Sequence, residues 1–169
     1  MTTATKPKPL KRDKSLVPLS REHHFGLLFC WKLKQGIANG TPFEMMRQYI
    51  QYFWSNILKA HCLEEEVIAK RLLPEDDVNA IRLHEEHQLI EAIIELINEQ
   101  KILNTSLIST LQQDLTDHIR WEERELFPYL QTVADPEELA DISRLLEHDL
   151  KEPVDEFEPA FWEKKAKAA

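Results

Sequence analysis

TPFEMMRQYIQYFWSNILKAHCLEEEVIAKRLL, residues 41–73, decides the fold. Thr41-Pro42-Phe43-Glu44 is a helix-start signal: a capping hydroxyl, a proline at the first helical position and an acid three residues after the cap. Phe43, Met46, Ile50, Phe53 and Ile57 then recur at helical spacing. The same line runs on through His61 and Glu65 to Ile68 and Leu72. This predicts a long amphipathic helix whose core-facing stripe is interrupted by two ionisable side chains.

The rest of the chain is punctuated the same way. Pro18 and Ser20 precede a first helix, from about Arg21 to Gly36, and Asn39-Gly40 marks the turn before the second. Pro74-Glu75-Asp76-Asp77 opens a third helix, with a stripe of Leu83, Ile90, Ile94 and Ile97, ending near Lys101. Asn104-Thr105-Ser106 offers caps for a fourth, which carries Ile108, Leu111, Leu115 and the stretch HIRWEERELFPYL, His118–Leu130. Pro128 lies inside that pattern and predicts a kink or an end. Asp135-Pro136-Glu137-Glu138 starts a shorter fifth helix reaching about His148, and Phe161-Trp162 reads as part of a tail packed on the bundle. The expectation is an all-α fold, an up-down-up-down antiparallel four-helix bundle with a short fifth C-terminal helix. Residues 1–17 read as a flexible basic tail, 18–150 as the bundle domain and 151–169 as a C-terminal tail.

Bulk properties agree. With 169 residues the chain suits one domain, and only 3 glycines leave little room for tight hairpins. A net charge of −9 argues against nucleic-acid binding through a basic face; the one basic run, TKPKPLKRDK, lies at the N-terminus. No apolar h-region follows those lysines, and no apolar run approaches a membrane span. A cytoplasmic protein is expected, with Cys30 and Cys62 as reduced thiols.

The 7 histidines carry the functional signal. His23 and His24 lie on the first helix, His61 on the second, His84 and His87 on the third, and His118 on the fourth. His148 lies on the fifth, off the others' level, where it suits a surface or helix-end charge. Helices rise about 1.5 Å per residue, so residues equally far from a turn stand at equal height. Around Pro74, His61 and Glu65 lie 9–13 residues before the turn, and His84 and His87 lie 10–13 after it. Around Ile102, His84 and His87 lie 15–18 before, and His118 and Glu122 lie 16–20 after. His24 is 16 residues before Gly40 and His61 is 21 after it, a looser match. Four helices thus bring histidine and glutamate to one layer of one core, where burial without a partner is prohibitively costly and a bound metal removes the cost. Of His23 and His24, His24 is preferred as the inward residue, because Leu27, Leu28 and Trp31 follow it at stripe positions. Glu64 and Glu66 remain alternatives to Glu65.

The order REHH…HCLEEE…HEEH…HIRWEERELFP resembles the hemerythrin-like, or HHE cation-binding, domain family over about Leu19 to Leu130. The resemblance implies a four-helix bundle around two non-haem iron ions, oxo- or hydroxo-bridged, with five histidines and two bridging carboxylates. Carried over, the ligands are His24, His61, Glu65, His84, His87, His118 and Glu122, with His23 the alternative to His24. Two features depart from oxygen-carrying members: His84 and His87 are three apart instead of four, and Glu122, four after His118, stands where an Asp five after it is usual. Two six-coordinate metals offer about twelve positions, and this set with one bridging oxygen fills about eleven, leaving one for O2 or NO. Trp31, Phe53, Trp54 and Trp121 are candidate apolar neighbours. The expected function is di-iron binding, to sense, store or carry a small ligand or to handle iron. A di-iron enzyme acting on O2, peroxide or NO is the alternative, ranked lower because no separate acid or base stands out. An iron-responsive interaction module and a metal-free bundle complete the field.

Overall fold

A computed structural model describes residues 11–100, 104–147 and 153–163. Among them the regular structure is helical, with no strand. A 3-10 turn, Lys14–Leu16, leads into α1, Val17–Ala38. Pro18 sits in the first turn of α1, where its missing N–H costs nothing, so the helix starts earlier than expected. Gly40, at φ 65°, reverses the chain, with Thr41 N–H donating to the Gly36 carbonyl at 2.9 Å.

The second rod is α2, Phe43–Phe53, a π turn at Trp54–Leu58, and α3, Lys59–Leu72. Thr41 does not cap it: Pro42 holds the cap position, and the Thr41 hydroxyl donates to the Phe161 carbonyl at 3.5 Å. The third rod is α4, Val78–Glu99, capped by Asp77, which accepts from Asn79 and Ala80 N–H. The fourth is α5, Thr105–Trp121, a second π turn at Glu122–Leu126, and α6, Phe127–Val133. Pro128 falls at the start of α6, directly after the π turn, so the rod re-phases instead of ending. Finally α7, Pro136–Glu147, starts at Asp135, which accepts from Glu137 and Glu138 N–H. His148 lies outside the described residues.

The core is split into two apolar clusters. One gathers Phe29, Leu33, Met46, Tyr49, Ile50, Phe53, Ile94 and Leu111. The other gathers Leu16, Leu19, Ile68, Leu83, Trp121, Leu126, Phe127 and Ile142. Along α1 the chain passes from Leu19 of the second to Phe29 of the first, with His23 between. Along α3 it returns, from Cys62 to Ile68, with Glu65 between. Along α4 it passes from Leu83 to Ile90 around His87, and at the end of α5 from Ile119 to Leu126 around Glu122. The polar layer therefore separates two apolar masses that hold the rods in place.

The first and last described segments, residues 11–16 and 153–163, pack on this body. Leu16 is fully buried, and Arg12 bonds Glu123 and Gln131. Phe161 lies against Gly36, where an added Cβ would come within 2.7 Å of its ring. Lys32, buried on α1, reaches Asp155 at 2.7 Å, and the Tyr49 hydroxyl donates to the same carboxylate at 2.5 Å. No helix among the described residues is long and apolar enough to cross a membrane.

Candidate metal centre

Six side chains meet between the clusters: His23 on α1, His61 and Glu65 on α3, His87 on α4, His118 on α5 and Glu122 at the start of the second π turn. Each is between 0% and 6% exposed. π turns concentrate at functional sites, and here one ends three residues before His61 while the other begins at Glu122.

The six divide into two halves. His23 Nε2 lies 3.2 Å from Glu65 Oε1 and 3.1 Å from Glu122 Oε2, and His61 Nε2 lies 3.1 Å from Glu65 Oε1. His118 Nε2 lies 3.0 Å from Glu122 Oε1, and His87 Nε2 lies 3.4 Å from Glu65 Oε2 and 3.9 Å from Glu122 Oε1. Each carboxylate thus turns one oxygen to one histidine pair and the other oxygen to the second pair. Glu65, His87, His118 and Glu122 in one half, and His23, His61 and Glu65 in the other, each offer one ligand atom within 4.8 Å of the rest of their group.

The residues fit a pair of cations. His61 Nε2, His87 Nε2, Glu65 Oε2 and both Glu122 oxygens are buried without a hydrogen-bond partner, although opposite charges lie near. Orphaned buried polar atoms are costly, and aligned imidazole nitrogens and carboxylate oxygens are what a metal ligates. No cysteine belongs to the set.

Without metal the cluster holds protons instead. Burial pulls the His61 pKa down, but Glu65 and Glu22 outweigh it and raise it to about 9. His118 is likewise desolvated, yet Glu122 and Glu86 lift it to about 10. His23 is raised well above the usual histidine range against the same burial, by Glu122, Glu123 and Glu65. Glu65 is held well below the carboxylate range, its desolvation overcome by His61, His23 and His87.

The family model of the hemerythrin HHE cation binding domain matches residues 19–130. The chain belongs to this family. No curated protein and no solved structure matches it.

Of the eight candidates, the seven expected ligands and the alternative His23, the structure brings six side chains together and leaves His24 and His84 outside. The preference for His24 is corrected: it is exposed, its ring 5.9 Å from Phe25, while His23 faces the layer. From His23 the positions three and seven residues on are the small Gly26 and Cys30, buried where α1 packs closely on α5; a Cβ on Gly26 would stand 2.8 Å from Ile119 Cδ1. Of Leu27, Leu28 and Trp31, taken as the stripe, Leu28 is half-buried while Leu27 and Trp31 are 39% and 49% exposed. His84 is also outside, its side chain 55% exposed and its Nδ1 3.0 Å from Glu66 Oε2. The acid turned into the layer is Glu65, and Glu66 stays at its edge. Of the aromatic neighbours, Phe53 and Trp121 are buried and Trp54 half-buried.

Four outer acids were missed in the place the structure gives them, Glu66 having been read only as an alternative to Glu65. Each inward histidine gives its Nδ1 to an outer glutamate on another helix. His61 pairs with Glu22 at 2.6 Å, His87 with Glu66 at 3.1 Å, His118 with Glu86 at 2.7 Å and His23 with Glu123 at 2.7 Å. The order is a closed ring. Glu22 of α1 serves α3, Glu66 of α3 serves α4, Glu86 of α4 serves α5, and Glu123 of the second π turn serves α1. Each outer acid follows or precedes an inward residue directly in the chain, and that adjacency was the available signal. Such partners fix the tautomer that turns Nε2 inward and raise ligand basicity.

Proposed function

We propose that the chain is a cytoplasmic non-haem di-iron protein, an up-down-up-down four-helix bundle, that senses, stores or carries a small diatomic ligand such as O2 or NO. One observation carries this reading: Glu65 and Glu122 each offer one oxygen to each histidine pair. His23 and His61 would hold one ion and His87 and His118 the other, with both glutamates shared. Imidazole and carboxylate without thiolate suit iron, and manganese, zinc or copper would compete for the same donors. Bound iron would supply an exchangeable position for the diatomic ligand.

The protein's own part is enclosure and orientation. Ile119, Trp121, Leu126 and Phe127 are buried around the layer and keep bulk water away. The outer glutamates keep each Nε2 pointed inward. A cleft of about 210 Å³, lined by Trp54, Cys62, Leu63 and His87 among others, lies beside the second half and would let a small molecule approach it.

A di-iron enzyme acting on O2, peroxide or NO is the second reading. It is favoured by the smaller ligand count, since eight protein donors and the same bridging oxygen leave about two of twelve positions open, against one with the seven-ligand set. Metal analysis of protein purified without an affinity tag tests both readings: two irons per chain are expected, and none in any preparation would remove them. The visible spectrum of the reduced protein in air then separates a stable adduct, expected of the carrier, from irreversible oxidation or turnover, expected of the enzyme.

A further inference from the structure

The two halves of the centre share a feature that the ligand set does not require. In the second half, Arg82 Nε donates to Glu86 Oε1 at 2.6 Å, and Glu86 Oε2 meets His118 Nδ1 at 2.7 Å. The Arg82 guanidinium also lies 4.1 Å over the Trp121 ring, itself 6.1 Å from the His118 ring. In the first half, Arg12 Nη2 donates to Glu123 Oε2 at 2.8 Å, and Glu123 Oε1 meets His23 Nδ1 at 2.7 Å. The Arg12 guanidinium lies 4.9 Å over the Phe127 ring, which stacks on His23 at 5.2 Å and 11°. Each half thus has one histidine held twice, through a glutamate and through an aromatic ring, and one arginine grips both.

The two arginines differ in origin. Arg82 is one turn from Glu86 on the same helix and is always within reach. Arg12 is 111 residues from Glu123 and precedes the family domain, which begins at residue 19. Its position is built: Asp13 accepts from Ser15 N–H at 2.9 Å to start the 3-10 turn, Leu16 is fully buried, and Gln131 both accepts from Arg12 at 3.1 Å and donates to the Lys11 carbonyl at 3.0 Å. Arg12 also donates to the Glu123 main-chain carbonyl at 2.7 Å, tying it to the π turn that carries Glu122.

We propose that Arg12 is a positioning residue for the first half of the centre, so that docking of the segment before the family domain completes one of two metal positions. The proposal rests on the di-metal reading above. The guanidinium fixes Glu123; Glu123 and Phe127 fix the His23 ring; and the ring then presents Nε2 to Glu65 and Glu122. Because Arg12 comes from a separate segment, anything that lifts that segment loosens the first half and leaves the second, which has Arg82, intact.

The test is a Co2+ titration of the full chain, read by calorimetry and by the visible ligand-field bands. Arg12→Met keeps an unbranched apolar chain and removes the charge, the donors and the guanidinium over Phe127. Wild type is expected to bind two Co2+. Arg12→Met is expected to weaken one step by about 10–100-fold, the usual effect of losing an outer partner, with the other step unchanged. Arg12→Lys restores charge without the forked geometry and is expected to fall between, while Arg82→Met weakens the other step. Both steps unchanged in Arg12→Met and Arg12→Lys, or both steps weakened alike, would overturn the proposal. Wild type binding no Co2+ would instead overturn the di-metal reading and this inference with it.

Discussion

Glu122→Gln keeps the side-chain volume and neutralises the residue whose two oxygens face both halves of the centre. The consequence follows from mass action. At free metal about 100-fold above each dissociation constant, each ion stabilises the fold by about 2.7 kcal/mol, and two by about 5.4 kcal/mol. For a chain of this size that raises the melting temperature by roughly 10–20 °C over the metal-free protein. A shared ligand is lost to both ions at once. If each affinity falls by about 100-fold, the upper end for outer partners, the gain shrinks to roughly 0.8 kcal/mol, or about 2–3 °C. His118→Ala touches one half only and is expected to keep about half the wild-type gain. The assay is thermal unfolding with and without Co2+, each variant compared with its own metal-free melt so that effects on the fold cancel. A Glu122→Gln gain equal to that of His118→Ala, or equal to wild type, would refute the shared role.

Three further outcomes are expected. Asp155→Ala leaves Lys32 buried without its counter-ion and removes the acceptor of Tyr49, and is expected to lower stability by roughly 3–5 kcal/mol in denaturant titrations, with Asp155→Asn milder. Gly26→Val forces side-chain atoms onto Ile119 where α1 meets α5, and is expected to cost roughly 1–3 kcal/mol and to weaken metal loading, both readable in one set of melts. The metal-induced melting gain is expected to widen as pH rises. The metal-free protein draws stability from His61 and His118, raised to about 9 and about 10; that contribution is whole below the ordinary value of about 6.5 and is lost as pH climbs through the folded values. Metal loading runs the other way, because each displaced proton costs less as pH rises. A gain that is flat, or that narrows, between pH 6 and pH 9 would contradict this.

The sequence carried the rods and much of the layer, for a physical reason. His61 with Glu65, and His118 with Glu122, interrupt long runs of apolar residues at four-residue spacing, so their inward direction needs no knowledge of neighbours. α1 is different. Its inward line is chosen by close approach to α5, which selects Gly26 and Cys30 over the larger Leu27 and Trp31, and a reading by hydrophobicity picks the wrong face and the wrong histidine. His84 follows the same logic. One residue past Leu83, it stands about 100° round the helix from the core line and reaches Glu66 at the edge instead. The outer acids were hidden because Glu22, Glu66, Glu86 and Glu123 each sit one residue from an inward side chain and point toward a neighbouring helix. The π turns have no local signature beyond Pro128, and Arg12 owes its role to a contact across 111 residues.

The central claim is tested most directly by anomalous diffraction from crystals of the iron-loaded protein. Two metal peaks are expected, one ligated by His23 and His61 and the other by His87 and His118, with Glu65 and Glu122 each bound to both. A single peak, or a metal ligated by His24 or His84, would contradict the claim.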